Sequence, residues 1–276
     1  MIIGVAACSA PPGQQASEDV GPVSSYARNT LAAENPAGLI RIAEGFERSG
    51  DFAGARELYA QALAVMPGLL KARLGLARAN SKLGQSDRAI ADLTLLLAED
   101  PENRTAKVTL AQIHANDGRY EAALAQLNTI DQLTPSDRVL RGKLRHLTGA
   151  SQEGHADILG ALDEAPDQTA FMTDAGLSFA LVEDYAGSIA LLRRSLDRPT
   201  FGSRAEQGLA LVYALSGQRQ LALRLARDIL PPEEIQRLEP YFRYLPRFTK
   251  QEQAAALFFD RIPNETIARF VNNATN

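Results

Sequence analysis

Tryptophan is absent from this 276-residue chain, cysteine occurs once, and aromatic residues make up only 6% of it. A single cysteine excludes an internal disulfide, and it excludes zinc or iron–sulfur sites built from several thiolates. A basic excess is missing too. Lys and Arg number 29 against 33 Asp and Glu, and the formal net charge of −4 argues against nucleic-acid binding. No apolar run reaches the roughly 18 residues that a membrane-spanning helix needs. His114, His146 and His155 form no i, i+4 pair and stand in no HExxH or CxxC pattern, so neither a metal site nor a cofactor is expected. Phosphate-binding glycine loops and the G-x-S-x-G nucleophile elbow are absent. The glycines from Gly149 to Gly154 lack the Lys-Ser/Thr that phosphate binding needs, and they read as a loop. No catalytic residue and no small-molecule substrate is assigned, and the chain reads as a non-enzyme. With 45% hydrophobic and 22% charged residues, the composition is that of a globular protein.

What the chain does contain is repetition. Ser49-Gly50-Asp51-Phe52, Leu83-Gly84-Gln85-Ser86 and Asp117-Gly118-Arg119-Tyr120 place glycines 34 residues apart. Ala55, Ala89 and Ala123 follow at the same interval, as do Pro67, Pro101 and Pro135. Each unit reads as helix, glycine turn, helix and proline stop. Leu39, Ile42, Ala43 and Phe46 have the i, i+3, i+4, i+7 spacing of one helical face. Gly50 stands where that helix must end in a left-handed residue, and Pro67 cannot continue the second helix.

A 34-residue helix–turn–helix unit resembles the tetratricopeptide repeat. Small residues are needed where its two helices approach: Ala43, Ala77 and Ala111 in the first helix, Ala55, Ala89 and Ala123 in the second. The usual tryptophan is replaced by Leu39, Arg73 and Lys107. A fifth unit places Gly176 and Ser188 at the small positions, and a sixth has Ala210, Gly217 and Ala222. Between Ser136 and Pro166 the fourth unit looks degenerate, with a long turn over Gly149–Gly154. The resemblance implies an all-α, right-handed superhelical solenoid of about six units over residues 36–230. Residues 231–276 are expected to supply C-terminal capping helices, since the last unit of a stack needs cover. Thr249 and Glu252 form a capping-box signature, and Asn264 is placed to start a last short helix.

Residues 1–8 end in Val5-Ala6-Ala7-Cys8, which resembles the lipobox of bacterial lipoproteins. The apolar run before it is short and no basic residue precedes it, which predicts a start upstream of Met1. Acylation at Cys8 would anchor the chain to a membrane, firmly if two or more acyl chains are attached. Residues 9–35, rich in Ser, Ala, Pro, Gly and Gln, read as a flexible tether. Ser9 after the cysteine implies, by the family rule, the periplasmic face of the outer membrane in a Gram-negative cell. A cytoplasmic location with Cys8 unmodified is the alternative.

In a tetratricopeptide array the first helix of each pair lines the inner face. Lys71, Arg78 and Lys82 there predict a basic stretch, followed by the amides Gln112 and Asn116, and then by the more apolar Thr173, Leu177, Gln207 and Leu211. Such a face suits an acidic or extended peptide. From Ala205 to Pro263 the text, with Asp228-Ile229-Leu230-Pro231-Pro232, Tyr241, Tyr244 and a closing Ala-Ala-Ala-Leu, is similar to the TadD-like lipoproteins of tight-adherence (Flp) pilus assembly. Gly208 and Leu238 depart from that pattern. The resemblance implies a non-catalytic scaffold whose partners are pilus-assembly or secretin components. An adaptor of another pilus, secretion or cell-wall system, and a soluble peptide-binding module, are the alternatives.

Overall fold

The computed structural model describes residues 35–197 and 203–261. Cys8 with its lipobox, the tether up to residue 34 and the helix expected after Asn264 lie outside the described residues. Among the described residues there are fourteen α-helices, one 3-10 turn and no strand. In chain order they are α1 (Pro36–Ser49), α2 (Phe52–Val65), α3 (Leu70–Lys82), α4 (Ser86–Glu99), α5 (Arg104–Asn116), α6 (Tyr120–Asn128) and α7 (Pro135–Leu147). They continue with α8 (Ser151–Glu164), α9 (Thr169–Leu181), α10 (Tyr185–Leu196), α11 (Ser203–Leu215), α12 (Arg219–Ile229) and α13 (Pro232–Tyr244). The 3-10 turn Leu245–Arg247 then leads to α14 (Lys250–Phe259). The chain divides into two compact bodies between Leu83 and Gly84.

A left-handed residue ends each odd-numbered helix from α1 to α11 or follows it closely: Gly50, Gly84, Gly118, Gly149, Glu183 and Gly217, all at φ between 69° and 93°. Five of the six are glycine because a Cβ is penalised in this conformation. The sixth, Glu183, pairs through its exposed side chain with Lys250 at 2.7 Å. These residues are 34, 34, 31, 34 and 34 positions apart. The repeat therefore keeps its period throughout and loses three residues once.

That single shortening corrects the reading of the fourth unit. Its turn is not long: α8 begins at Ser151, and Gly154 lies buried inside it. With the shift of three, Gly142 and Gly154 occupy the two small positions. A Cβ added to either would lie 2.6 Å from the other's carbonyl oxygen. The fourth unit is thus regular, and its two helices touch backbone to backbone. The shortening falls in the third unit, where α6 has 9 residues against 14 in α2 and in α4. The prolines mislead here. Pro67 and Pro101 stand three residues ahead of α3 and α5, whereas Pro135 is the first residue of α7, behind a capping box of Thr134 and Asp137. Its fixed φ suits that position, and its missing N–H would have had no helical partner there.

The other small positions are closely packed. Ala43, Ala55, Ala77, Ala89, Ala111, Ala123, Ala210 and Ala222 are all buried. A Cβ on Gly176 would sit 2.7 Å from Leu192 Cγ. In the first body α2 packs on α1 and α3 around Leu39, Ala43, Ala55, Leu58, Tyr59 and Ala62. In the second body α5 pairs with α6, α7 with α8, α9 with α10 and α11 with α12, and each pair packs on the next. The core runs through Leu127, Leu144, Ile158, Leu177, Leu192 and Val212.

The C-terminal helices divide their roles. Helix α13 packs on α12 and α11 and covers the last pair. Helix α14 does not continue outward as part of that cover. It lies against α7 and α9, the first helices of the fourth and fifth units.

Replacing Gly142 with Ala should therefore lower stability by about 1–3 kcal/mol, because the added methyl meets backbone that cannot move aside. Gly160→Ala on the facing helix α8 meets only the end of the Arg138 side chain, 3.4 Å away. It should be neutral or stabilising by up to about 1 kcal/mol. Thermal unfolding of the two variants checks the contrast.

Candidate functional site

The candidate residues of the first body lie on α3, which has Lys71 and Lys82 exposed. Arg78 is engaged. Its guanidinium donates to both Glu47 oxygens, at 3.1 and 2.8 Å. Tyr59 donates to Glu47 Oε2 at 2.7 Å. The Tyr59 ring lies over Gly75, where a Cβ would come within 2.3 Å of it. Burial, reinforced by the Glu47 carboxylate, pushes the Tyr59 hydroxyl above its ordinary value. Arg78 is thus a clamp between α1 and α3, and the basic stretch predicted on α3 reduces to Lys71 and Lys82.

In the second body Gln112 and Asn116 are exposed on α5. The corresponding face of α7 and α9 is covered by α14, which reaches α11 through Arg204. Lys250 at the start of α14 pairs with Glu183 in the α9–α10 turn. Phe258, near its end, sits over a partly buried charge cluster. Lys143 Nζ is 5.8 Å from the Phe258 ring centroid and 2.7 Å from Asp174 Oδ2. Arg204 Nη2 donates to the Phe258 carbonyl at 3.1 Å and reaches Asp174 Oδ1 at 3.4 Å. Burial pulls the Lys143 amine below its ordinary value, against the opposing pull of Asp174. Phe259 packs on Tyr120, with ring centroids 5.8 Å apart. Thr173 and Leu177, expected to line an open face, are buried, and Thr173 shares a 2.7 Å hydrogen bond with Ser195. Gln207 and Leu211 border a cavity of about 380 Å³ together with Tyr241, Ala256 and Asp260.

The residues missed in the sequence, Lys143, Asp174 and Arg204, come from three consecutive units. Lys143 follows Gln112 by 31 positions and is its structural counterpart. The glycines Gly142 and Gly154 carried the signal for that shift.

A histidine pair lies beside the cluster. Ser178 Oγ stands 2.8 Å from His146 Nε2 and 3.0 Å from His155 Nδ1. The hydroxyl has one proton, so it donates to one ring and accepts from the other. Ser178 is fully buried, and His146 lies under Phe258 with ring centroids 5.5 Å apart. Burial, and then the neighbouring His155, hold His146 down to about 4. His114 is half-buried, and its Nδ1 lacks a hydrogen-bond partner. Among the described residues no group of three or more His, Cys, Asp or Glu could hold a metal ion. No helix among them is long and apolar enough to cross a membrane.

The tetratricopeptide-repeat family profile matches residues 48–93 and 82–147. No curated protein matches the sequence. Among solved structures, the chain is similar to one in the anaphase-promoting-complex hetero-tetramer Cut9–Hcn1, at 18% identity and a TM-score of 0.65, over 78% of this chain but 45% of that one. A tetratricopeptide repeat protein from Parabacteroides merdae matches at 18% identity and TM-score 0.63, over 88% of this chain and 100% of that one. The Pseudomonas aeruginosa pilF protein matches at 16% and 0.59, over 77% and 99%. At these identities the likeness is one of fold. The profile match and these likenesses together give the described residues an all-helical solenoid fold of the tetratricopeptide-repeat type.

His146 titrates below its unfolded value of 6.5. Its contribution to stability is therefore complete above pH 6.5 and is lost as the pH falls towards about 4, by on the order of 3 kcal/mol. Denaturant unfolding across this window should show a steeper loss in the wild type than in His146→Gln.

Proposed function

We propose that this tetratricopeptide-repeat protein is a non-catalytic scaffold that holds helical or extended segments of other proteins. The observation that carries this reading is the face of α7, α9 and α11, which already accepts a helix, α14, through an inserted aromatic ring and a guanidinium–carbonyl hydrogen bond. The binding chemistry is side-chain insertion with main-chain capture, and it requires no reacting group.

The reading extends to the cell envelope. Val5-Ala6-Ala7-Cys8 has the lipobox pattern and is followed by a polar stretch of tether composition. Acylation at Cys8 would hold the chain on the periplasmic face of an outer membrane, the tether would give it reach, and the repeats would engage a partner. The closing sequence from Ala205 to Pro263, similar to that of the tight-adherence lipoproteins, favours Flp pilus assembly and its secretin as the setting. Two lines of argument meet here: a lone thiol placed where acylation needs it, and a repeat domain without catalytic chemistry.

Cells expressing the protein from its own gene locus should incorporate labelled palmitate into the wild type and not into Cys8→Ala. The wild type should also fractionate with outer membrane. Unlabelled wild type overturns the lipoprotein reading, and unchanged secretin multimers in cells lacking the protein overturn the pilus role.

A further inference from the structure

Helix α14 rests on the second body in an unusual balance. It has only ten residues, too few to be stable as an isolated helix in water, so its order depends on what it touches. Ala254, Ala256, Leu257 and Phe258 are buried against the face of α7 and α9, which favours docking. The same docking covers Lys143 and Asp174, whose charges lose water beneath the Phe258 ring, and that opposes it. The fit is also incomplete, since the cavity of about 380 Å³ separates part of α14 from α11, α12 and α13. Its N-terminal tether is the short link Leu245–Thr249, and Gln253 donates to the carbonyls of Leu245 and Phe248 within that link. Local opening needs only the release of one short helix from a surface that regains water on its charges.

The geometry points to α14 as an internal ligand: the face of α7, α9 and α11 binds a partner's short amphipathic helix of the same chemistry, and α14 competes with it for that face. The inference rests on the scaffold reading and names the partner class. What the face selects is defined by what it now holds. A small residue at the position of Ala254 allows close approach. A leucine and an aromatic ring at the positions of Leu257 and Phe258 fill the space over Lys143 and His146. A free carbonyl at the helix end takes the Arg204 guanidinium. A positive charge at the start of the segment meets Glu183. A polar extended peptide supplies neither the buried ring nor the helix-end carbonyl.

The test uses the full chain and a fluorescein-labelled peptide of residues 249–261. Phe258→Ala removes the ring that holds α14 in place. This variant should bind the peptide roughly tenfold more tightly than the wild type, because the competitor no longer occupies the face. The same peptide carrying Phe258→Ala should not bind. Lys250→Glu offers a second route, because it sets like charge against Glu183 at an exposed position and leaves the core untouched. It should tighten binding by a smaller factor. Light scattering accompanies the titrations. The inference is overturned if both variants keep their helical circular dichroism yet bind no more tightly than the wild type. Dimerisation of the variants overturns it as well, since the occupant would then be the α14 of a second copy. Failure here, with Cys8-dependent palmitate labelling and the secretin phenotype intact, removes the internal-ligand inference and leaves the scaffold reading standing.

Discussion

Close approach of two helix backbones at a small residue is the constraint on which the rest of this structure depends. Where α7 meets α8, Gly142 and Gly154 leave no room for a methyl group on either side. Elsewhere alanine or serine stands at these positions, apart from Gly176, where an added Cβ would meet Leu192. The close contact fixes where each helix of a pair can lie, and so decides which side chains point between helices and which point outward. It also accounts for the scarcity of aromatic rings. A ring needs a vacancy, and the vacancies are specific: Tyr59 lies over Gly75.

The same constraint determines what the outward faces can carry. Once the contact between paired helices is taken by small residues, larger and charged side chains are left for the inner face. There they meet their counterparts from neighbouring units. Glu47 and Arg78 form such a link in the first body, and Lys143, Asp174 and Arg204 form one in the second. These groups serve two purposes. Paired with one another, they hold successive units in register. Because a paired charge still retains unused hydrogen-bonding capacity, Arg204 can also capture the end of a helix laid across it.

Most of the fold could be read from the sequence because the repeat states it several times. Glycine at the turn and alanine at the contact are local requirements, and each recurs at one interval. The fourth unit was legible in principle, since Gly142 and Gly154 satisfy both small positions. Pro135 obscured it by keeping the interval of 34 while serving a different role, as a helix start in place of a linker residue. The pairing of Arg78 with Glu47 joins residues of different units and leaves no mark on either helix alone. The position of α14 was hidden for the same reason. Thr249 and Glu252 mark where the helix begins, and Leu257 and Phe258 show that one side is apolar. Nothing local records that the apolar side meets α7 and α9, which lie several units earlier in the chain.

The placement of α14 also resolves an apparent conflict in the inner face. A half-buried lysine paired with a buried aspartate contributes little to stability, because the attraction is offset by the loss of hydration. If stability alone shaped this surface, apolar side chains at these positions would hold α14 more firmly. Charged groups do something apolar ones cannot: they remain soluble when the face is uncovered. A surface that must be stable both with and without a helix on it has to combine a place for one ring with groups that tolerate water. Lys143, Asp174 and Arg204 around the Phe258 site meet both demands, and a permanently sealed core would need only the first.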